Sequence, residues 1–477
     1  MFNSIKIPHV FALLTIVILV ASAMSYIIPS GSFERKEVQV GHLTRTVVVP
    51  GSYQSIPKNY SVNGLFLGDE VGGKASPVSL MGFLSAIPRG LEQSGDIIFF
   101  IFLIGGVFGI VKKTGTITAV IQALVDRFKN SGATLTIVLM VMISAAGSTL
   151  GMGEEFIPLI PVFLFVSHKL GYDKIYGMAL VFVSAEVGFA SATTNPFTVQ
   201  IAQGIAEVPI GSGIGFRIVF YVLALTISIV YMLRYGKRLK RDPKNSYLEE
   251  GNVYVEEQST EQFSLTKMHI QIVVVGSVLF VGILWATQSL GWWLAEMGAG
   301  FLLIGIVTAA IAGLSINEAT KAFIGGMQEM LVGALVVGFA KGIQVALIDG
   351  QIMDSMIYYA SSTLQYLPKV LAAEGMLVFQ TILNFFIPSG SGQAATTIPL
   401  MAPLADLLGI TRQTAIFAFT CGDGFANMVI PTSGILMAML GIAGIPFKSW
   451  MRFALPLFGW LMAISAVFIA IAVLINY

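Results

Sequence analysis

What most constrains this chain is a set of long apolar runs, several of them broken in mid-course by glycine, serine, proline and carboxylates. The stretches about 8 to 28, 95 to 111, 175 to 208, 214 to 233, 269 to 288, 296 to 314, 322 to 346, 413 to 443 and 452 to 475 are each long and apolar enough to cross a bilayer core of roughly 30 Å. Composition agrees with nine crossings: 55% of residues are hydrophobic and 11% charged, with a mean hydropathy of +0.82. Those values exclude a soluble globular protein and imply an all-α polytopic membrane protein. The first run, Pro8 to Ile28, is longer than the apolar core of a signal peptide, and Ala-Ser-Ala-Met is a weak cleavage signal, so a retained first helix is expected.

Two apolar segments, about 132 to 168 and 371 to 407, do not read as simple spans. Each has two arms around a Gly/Ser-rich centre, GSTLGMG or PSGSG, followed by Pro158 and Pro161 or by Pro399 and Pro403. Such centres leave backbone groups unpaired at membrane depth, which is tolerated only against protein or a water-filled cavity. They are expected to be re-entrant helical hairpins; one long kinked helix is the alternative. The runs 175 to 208 and 413 to 443 are broken at Gly188 to Pro196 and at Gly422 to Pro431. Broken helices offer half-helix ends, with their partial charges, to a ligand.

Basic residues orient the chain. Lys112, Lys113, Arg127, Lys129, Lys169, Lys174 and the run from Arg234 to Lys244 fall on one side if the N-terminus is cytoplasmic, which puts the C-terminus outside. The division expected is a first helix (1–30), an extracytoplasmic cap (31–94), a first repeat (95–234), a cytoplasmic linker (235–268), a linker helix (269–288) and a second repeat (289–477). In the cap, TRTVVVPGSY reads as strand and turn, and PVSLMGFLSAIPRGLEQ as an amphipathic surface helix. The repeat is visible in the order of motifs. A glycine-bearing span (GGVFGIVKKTG, VVGFAKGIQ) precedes a hairpin (IPLIP, IPLMAP), a Leu-Gly turn (Leu170-Gly171, Leu408-Gly409) and a broken helix with Gly-Phe-Ala at 188–190 and 424–426. One odd linker helix between two four-crossing copies inverts the second, so one hairpin enters from each side. This is the plan of secondary transporters, with the site at the midplane.

The opening KIPHVFALLTIVILVASAMSYIIPSGSFER, the hairpin GMGEEFIPLIP, SATTNPFTVQIAQG, IPSGSGQAATTIPLMAPLADLLGITRQ and GDGFANMVIPTSG together resemble the YfcC-like branch of the C4-dicarboxylate anaerobic carrier family, over essentially the whole chain. The resemblance implies an elevator-type carrier built as a homodimer, associated in this branch with exchange of basic amino acids such as arginine and ornithine. It also implies substrate and sodium at Ser148 to Glu155 with Gly188 to Asn195, and at Ser389 to Thr397 with Asp423 to Thr432. Neither tip carries the Ser-Asn-Thr common in dicarboxylate carriers of the superfamily, which counts against sodium coupling and a dicarboxylate.

Acidic groups facing lipid would each cost roughly 2.5 to 3.5 kcal/mol, so they are expected to face a cavity. Glu154, Glu155, Glu186 and Asp423, with no lysine or arginine in the same motifs, suit a cation or protons better than a dianion. Glu154 and Glu155 are adjacent, so one of the two is expected to point inward. A guanidinium can be held bidentately by a carboxylate, with the substrate α-carboxylate on half-helix N-termini near Ser389 to Gln393. The candidate substrate- or ion-binding residues are Ser148, Thr149, Gly153, Glu154, Glu155, Glu186, Gly188, Thr194, Asn195, Ser389, Ser391, Gly392, Gln393, Thr396, Asp423, Asn427 and Thr432. A coupling sodium would lie near Ser148, Gly188 and Asn195; the other coupling ion considered is a proton. No further cofactor is implied, and the partners are a small-molecule substrate, membrane lipid and a second copy of the chain, with no nucleic acid. A single cysteine, Cys421, excludes an intramolecular disulfide, and it is expected to pack. Lys341 is expected to snorkel. No His-Glu-x-x-His motif occurs and no histidine lies at a tip or break, which removes the chemistry of an intramembrane hydrolase. A sodium-coupled dicarboxylate or other organic-anion carrier, and an ion channel, are the alternative functions.

Overall fold

A computed structural model describes residues 10–40, 43–117, 119–120, 123, 132–248, 265–290, 292 and 294–477. The expectations for residues 1–9, for the stretch 124–131 with Arg127 and Lys129, and for the acidic middle of the linker at 249–264 lie outside the described residues. Nineteen α-helices run through the rest, with four short strands near the N-terminus. Among the described residues, six helices are long and apolar enough to cross a membrane: α4 (Gly95–Lys113), α5 (Gly132–Leu150), α9 (Ile214–Arg241), α11 (Leu294–Ile311), α13 (Leu331–Asp349) and α19 (Phe447–Leu474). The chain is therefore a multi-pass membrane protein. Shorter apolar helices include α1 (Val10–Met24) and α10 (Lys267–Leu290).

The cap is more than a surface feature. Strand β1 (Ser30–Ser32) pairs with β4 (Gln54–Ile56), and β2 (Arg35–Val40) pairs antiparallel with β3 (Leu43–Val48), Arg35 opposite Val48. The expected strand TRTVV is thus present. Asp354 anchors this ribbon: its Oδ2 accepts from Phe33 N at 3.0 Å and its Oδ1 from Arg35 Nη2 at 2.7 Å. Lys58 Nζ donates to the carbonyls of Ser25 and Ile28, just past the C-terminal end of α1, where a cation offsets the helix dipole.

The stretch 322 to 346 is two helices, where the sequence suggested one span. An amphipathic α12 (Ile316–Glu329) ends at Met330, and α13 follows at once. The same joint occurs earlier: α3 (Leu80–Gln93) ends at Ser94, one residue before α4. The helix expected on the surface, α3, buries Ala86 and Gly90. A Cβ on Gly90 would meet Gly342 N at 2.6 Å, and one on Gly105 would meet Gly326 O at 2.8 Å. So α3 packs on α13 while α12 packs on α4, each crossing made close by the spacings Gly105-x-x-x-Gly109 and Gly338-x-x-x-Gly342. The joint at Ser94 coincides with the boundary expected between cap and first repeat, whereas the one at Met330, marked only by Gln328 and Glu329, lies inside the expected span.

Both expected hairpins fold back on themselves, so neither is a single kinked helix. In the first, α5 leads through a 3-10 turn at Glu154–Leu159 into α6 (Ile160–Lys169), and Leu135 near its start shares an apolar cluster with Val166 and Leu170 near its end. In the second, α15 (Lys369–Asn384) leads into α16 (Gly390–Leu408), and the Lys369 side chain lies against Gly409. Two broken helices complete the core: α7 (Lys174–Ala190) with α8 (Val199–Ile205), and α17 (Arg412–Ala426) with α18 (Gly434–Ala443).

Candidate functional site

The first break, Ser191–Thr198, arises because Pro196 has no N–H to continue the ladder and because the first hairpin supplies replacement partners. The Ser148 carbonyl accepts from Thr193 N at 3.0 Å and from Thr194 N at 3.3 Å. Ser148 Oγ accepts from Thr193 N at 3.2 Å and lies 3.1 Å from Thr193 Oγ1. The contact is close because Gly188 and Gly147 bring α7 and α5 together: a Cβ on Gly147 would lie 2.6 Å from the Ala185 carbonyl.

The second break, Asn427–Ser433, is braced differently. Trp450 Nε1 donates to the Met428 carbonyl at 2.9 Å, fully buried. Asn384, at the end of the first arm of the second hairpin, donates from Nδ2 to the Asp423 carbonyl at 2.7 Å and to Asn427 Oδ1 at 2.8 Å. Gly422 lets that arm approach, since a Cβ there would stand 2.9 Å from the Leu377 carbonyl.

Breaks and tips converge. Asn427 Nδ2 donates to Glu186 Oε2 at 3.2 Å, and α7 crosses α17 where a Cβ on Gly424 would lie 2.8 Å from Ala190 N. Gly390, at the second tip, sits among Thr198, Phe189 and Asp423: its Cβ would be 3.2 Å from Asp423 Oδ2. Gly153 at the first tip abuts Ile435 at the start of α18. Glu186 is 3% and Asp423 1% exposed, and Glu154 and Asp423 both lie within electrostatic reach of Glu186. Both oxygens of Asp423 lack a hydrogen-bond partner. An unsatisfied buried carboxylate is expensive, which makes Asp423 a candidate for holding a ligand.

The remaining candidates divide by what holds them. Thr149 is exposed and donates to Ala145 O at 2.7 Å, while Thr194 Oγ1 donates to Thr149 O at 3.3 Å. Asn195 is buried, with Oδ1 accepting from Phe197 N at 2.8 Å and Nδ2 unpartnered. Ser389 caps α16 by accepting from Gly392 N at 3.4 Å, and Thr396 Oγ1 donates to the Gly392 carbonyl at 2.8 Å. Gln393 turns inward and donates to Gln380 Oε1 at 2.7 Å. Ser391 is half-buried beside it. Thr432 is buried with its hydroxyl unpartnered. The side chain of Glu155 lies outside the described ones. Cys421 is fully buried, and Lys341 is half-buried with Nζ donating to Gln344 Oε1 at 2.6 Å.

Four residues escaped the sequence reading. Asn384 and Gln380 lie in a plain apolar arm, and Trp450 opens the last span. Arg217, on α9, is 1% exposed; its Nη1 donates to the Ala192 carbonyl at 3.3 Å and to Thr420 Oγ1 at 3.1 Å. A basic residue near the start of a span ordinarily snorkels, so nothing in the sequence marked it as buried.

Residues 7–474 match the DcuC family, described as C4-dicarboxylate anaerobic carrier. The chain is 34% identical over 493 residues to YfcC of Escherichia coli K12, provisionally described as a basic amino acid antiporter, with 98% of this chain and 97% of YfcC covered. It is 28% identical over 501 residues to an uncharacterized protein of Haemophilus influenzae, covering 99% and 98%. Among solved structures it is similar to the YdaH transporter of Alcanivorax borkumensis (16% identity, TM-score 0.43, 98% and 99% covered). It is likewise similar to MtrF of Neisseria gonorrhoeae, of a class of antimetabolite efflux pumps (17%, 0.43, 98% and 96%). The chain is a membrane transporter rather than an enzyme, and it belongs to the C4-dicarboxylate anaerobic carrier family.

Proposed function

We propose that this transporter carries basic amino acids, arginine, ornithine or lysine, across the inner membrane by alternating access, and that Glu186 and Asp423 hold the cationic end of the substrate. The observation that carries this reading is the meeting of two buried carboxylates from two broken helices, Asp423 with both oxygens free. No described lysine or arginine forms an ion pair with either. A guanidinium gripped by a carboxylate gains a charge-assisted, bidentate pair in a medium that gives it no water to lose it to. The N-terminal turn of α16, Ser389 to Gln393, offers backbone N–H groups to the α-carboxylate. The description of YfcC in Escherichia coli points the same way.

The reading includes an inverted repeat, 95–234 and 289–477, around a linker helix at 269–288, with a cytoplasmic linker at 235–268 and a cap at 31–94. The reciprocal packing of α3 on α13 and α12 on α4 supports it. It also includes elevator-type motion of the hairpins and broken helices against the glycine-joined spans, a homodimer, a cytoplasmic N-terminus and an outer C-terminus. The family's description favours a second reading, a C4-dicarboxylate carrier. Counterflow of labelled arginine in proteoliposomes separates them. Ornithine should compete and succinate should not, and Glu186→Gln or Asp423→Asn should abolish uptake. Competition by succinate with indifference to both substitutions would return the chain to dicarboxylates.

A further inference from the structure

We infer that Arg217 is the resident cation of the first helix break and occupies there the role of a coupling sodium ion. The inference rests on the transporter reading above and concerns how its first break is charged. Arg217 is among the largest fully buried side chains, and a guanidinium stays charged at any physiological pH. Removing such a charge from water costs several kcal/mol unless it is paired, yet no described carboxylate lies within ion-pair distance. Nε and Nη2 have no hydrogen-bond partner of good geometry; the Tyr477 hydroxyl and the Cys421 thiol lie within electrostatic reach, and the Phe417 ring lies 5.6 Å away.

What Nη1 does meet is the Ala192 carbonyl, 3.3 Å away, two residues past the C-terminal end of α7. That end carries the negative pole of the half-helix. Its other partner, Thr420 Oγ1, sits on α17 one turn before Asp423, and Thr420 gives its own proton to the Phe417 carbonyl at 3.1 Å. One buried cation therefore joins the negative pole of the first broken helix to the wall of the second.

Most oxygens around this break already hold protein donors, the buried Thr198 hydroxyl excepted. A hard cation needs several oxygens with free lone pairs turned toward one point. Here the Ser148 carbonyl already accepts from Thr193 N and Thr194 N, and Ser148 Oγ accepts from Thr193 N. The Ala192 carbonyl is taken by Arg217, and Asn195 Oδ1 by Phe197 N at 2.8 Å. That last bond fixes the Asn195 amide and leaves its Nδ2, a donor, buried and unpartnered. Of the residues expected to hold sodium, Ser148 and Asn195 thus have their oxygens engaged by donors from within the protein.

The test reads thermal stability of the purified, substrate-free transporter in sodium chloride against choline chloride at equal ionic strength. The parent should be indifferent to sodium, or keep any sodium shift when Ser148→Ala is introduced. A saturable sodium shift that Ser148→Ala removes would overturn the inference. Arg217→Ala should melt well below the parent in choline, with part of the loss restored by millimolar guanidinium or sodium, and Arg217→Lys should retain sodium indifference. An Arg217→Ala protein restored by neither cation would make the side chain mere packing and overturn it equally. If Arg217→Ala does not fold, the Ser148→Ala arm decides alone. No substrate enters this measurement, so failure of the basic-amino-acid reading leaves its outcome untouched.

Discussion

Asn427 Nδ2 donates to Glu186 Oε2 at 3.2 Å, while Asn427 Oδ1 accepts from Asn384 at 2.8 Å. One amide therefore links a carboxylate on α7, the broken end of α17 and the first arm of the second hairpin. The second hairpin is thereby tied to Glu186 through a chain of two asparagines.

Asn427→Leu conserves volume and removes both bonds. It leaves Glu186 without its amide donor and Asn384 with the Asp423 carbonyl alone, at about 1 to 3 kcal/mol for each buried group left unsatisfied. The melting temperature should fall, and arginine affinity should fall further than for Asn384→Leu, which spares the bond to Glu186. Equal affinity losses would mean that the network supports the fold without reaching the site.

The crossing of α7 and α17 gives a sharper contrast. A Cβ on Gly424 would lie 2.8 Å from Ala190 N and 2.5 Å from Ala190 Cβ, and backbone cannot step aside. Gly424→Ala should cost about 1 to 3 kcal/mol through overpacking and impair transport. Gly459→Ala, where a Cβ meets nothing within 4 Å, should stabilise α19 by about 0.5 to 1 kcal/mol. Melting curves of the two variants check the sign of each.

The convergence of hairpins and breaks was readable because it is written in residues that cannot sit in a bilayer without protein around them: PSGSG, GSTLGMG, Asn195-Pro196 and Asp423. Two kinds of information were not readable. The joint at Met330 falls inside the run 322 to 346, marked only by Gln328 and Glu329, and it brings Gly326 against Gly105 on another helix. Arg217 has the sequence context of a snorkelling residue, and only the position of Ala192 and Thr420 in space makes it a buried donor. Charge at a span's end is ambiguous until the neighbours are placed.

In the segment 59–76, Asp69 is held below the usual carboxylate range by hydrogen bonds from Ser61 and Asn63, the latter 2.6 Å long. A depressed carboxylate stabilises the folded loop above its unfolded value, about pH 4. That contribution is lost as pH falls through the lower, folded value. Hydrogen–deuterium exchange of the segment 59–76 should rise on acidification below about pH 4, and Asp69→Asn should exchange faster at neutral pH while losing that acid response.

Asp354 should matter more to the β2–β3 ribbon than its visible ion pair suggests. Arg35 is 39% exposed, so the pair itself is worth about 0 to 1 kcal/mol. The bond from Phe33 N is buried, and losing its acceptor costs about 1 to 3 kcal/mol. Asp354→Ala removes both, Asp354→Asn keeps an acceptor for Phe33, and Arg35→Met removes the pair together with the 3.2 Å bond from Arg35 Nη1 to the Phe33 carbonyl but spares the bond from Phe33 N. Limited trypsin digestion at Lys36 should therefore be accelerated strongly in Asp354→Ala and weakly in the other two. If Arg35→Met opened the ribbon as far as Asp354→Ala, the exposed ion pair would be what holds it, and the buried backbone bond would contribute little.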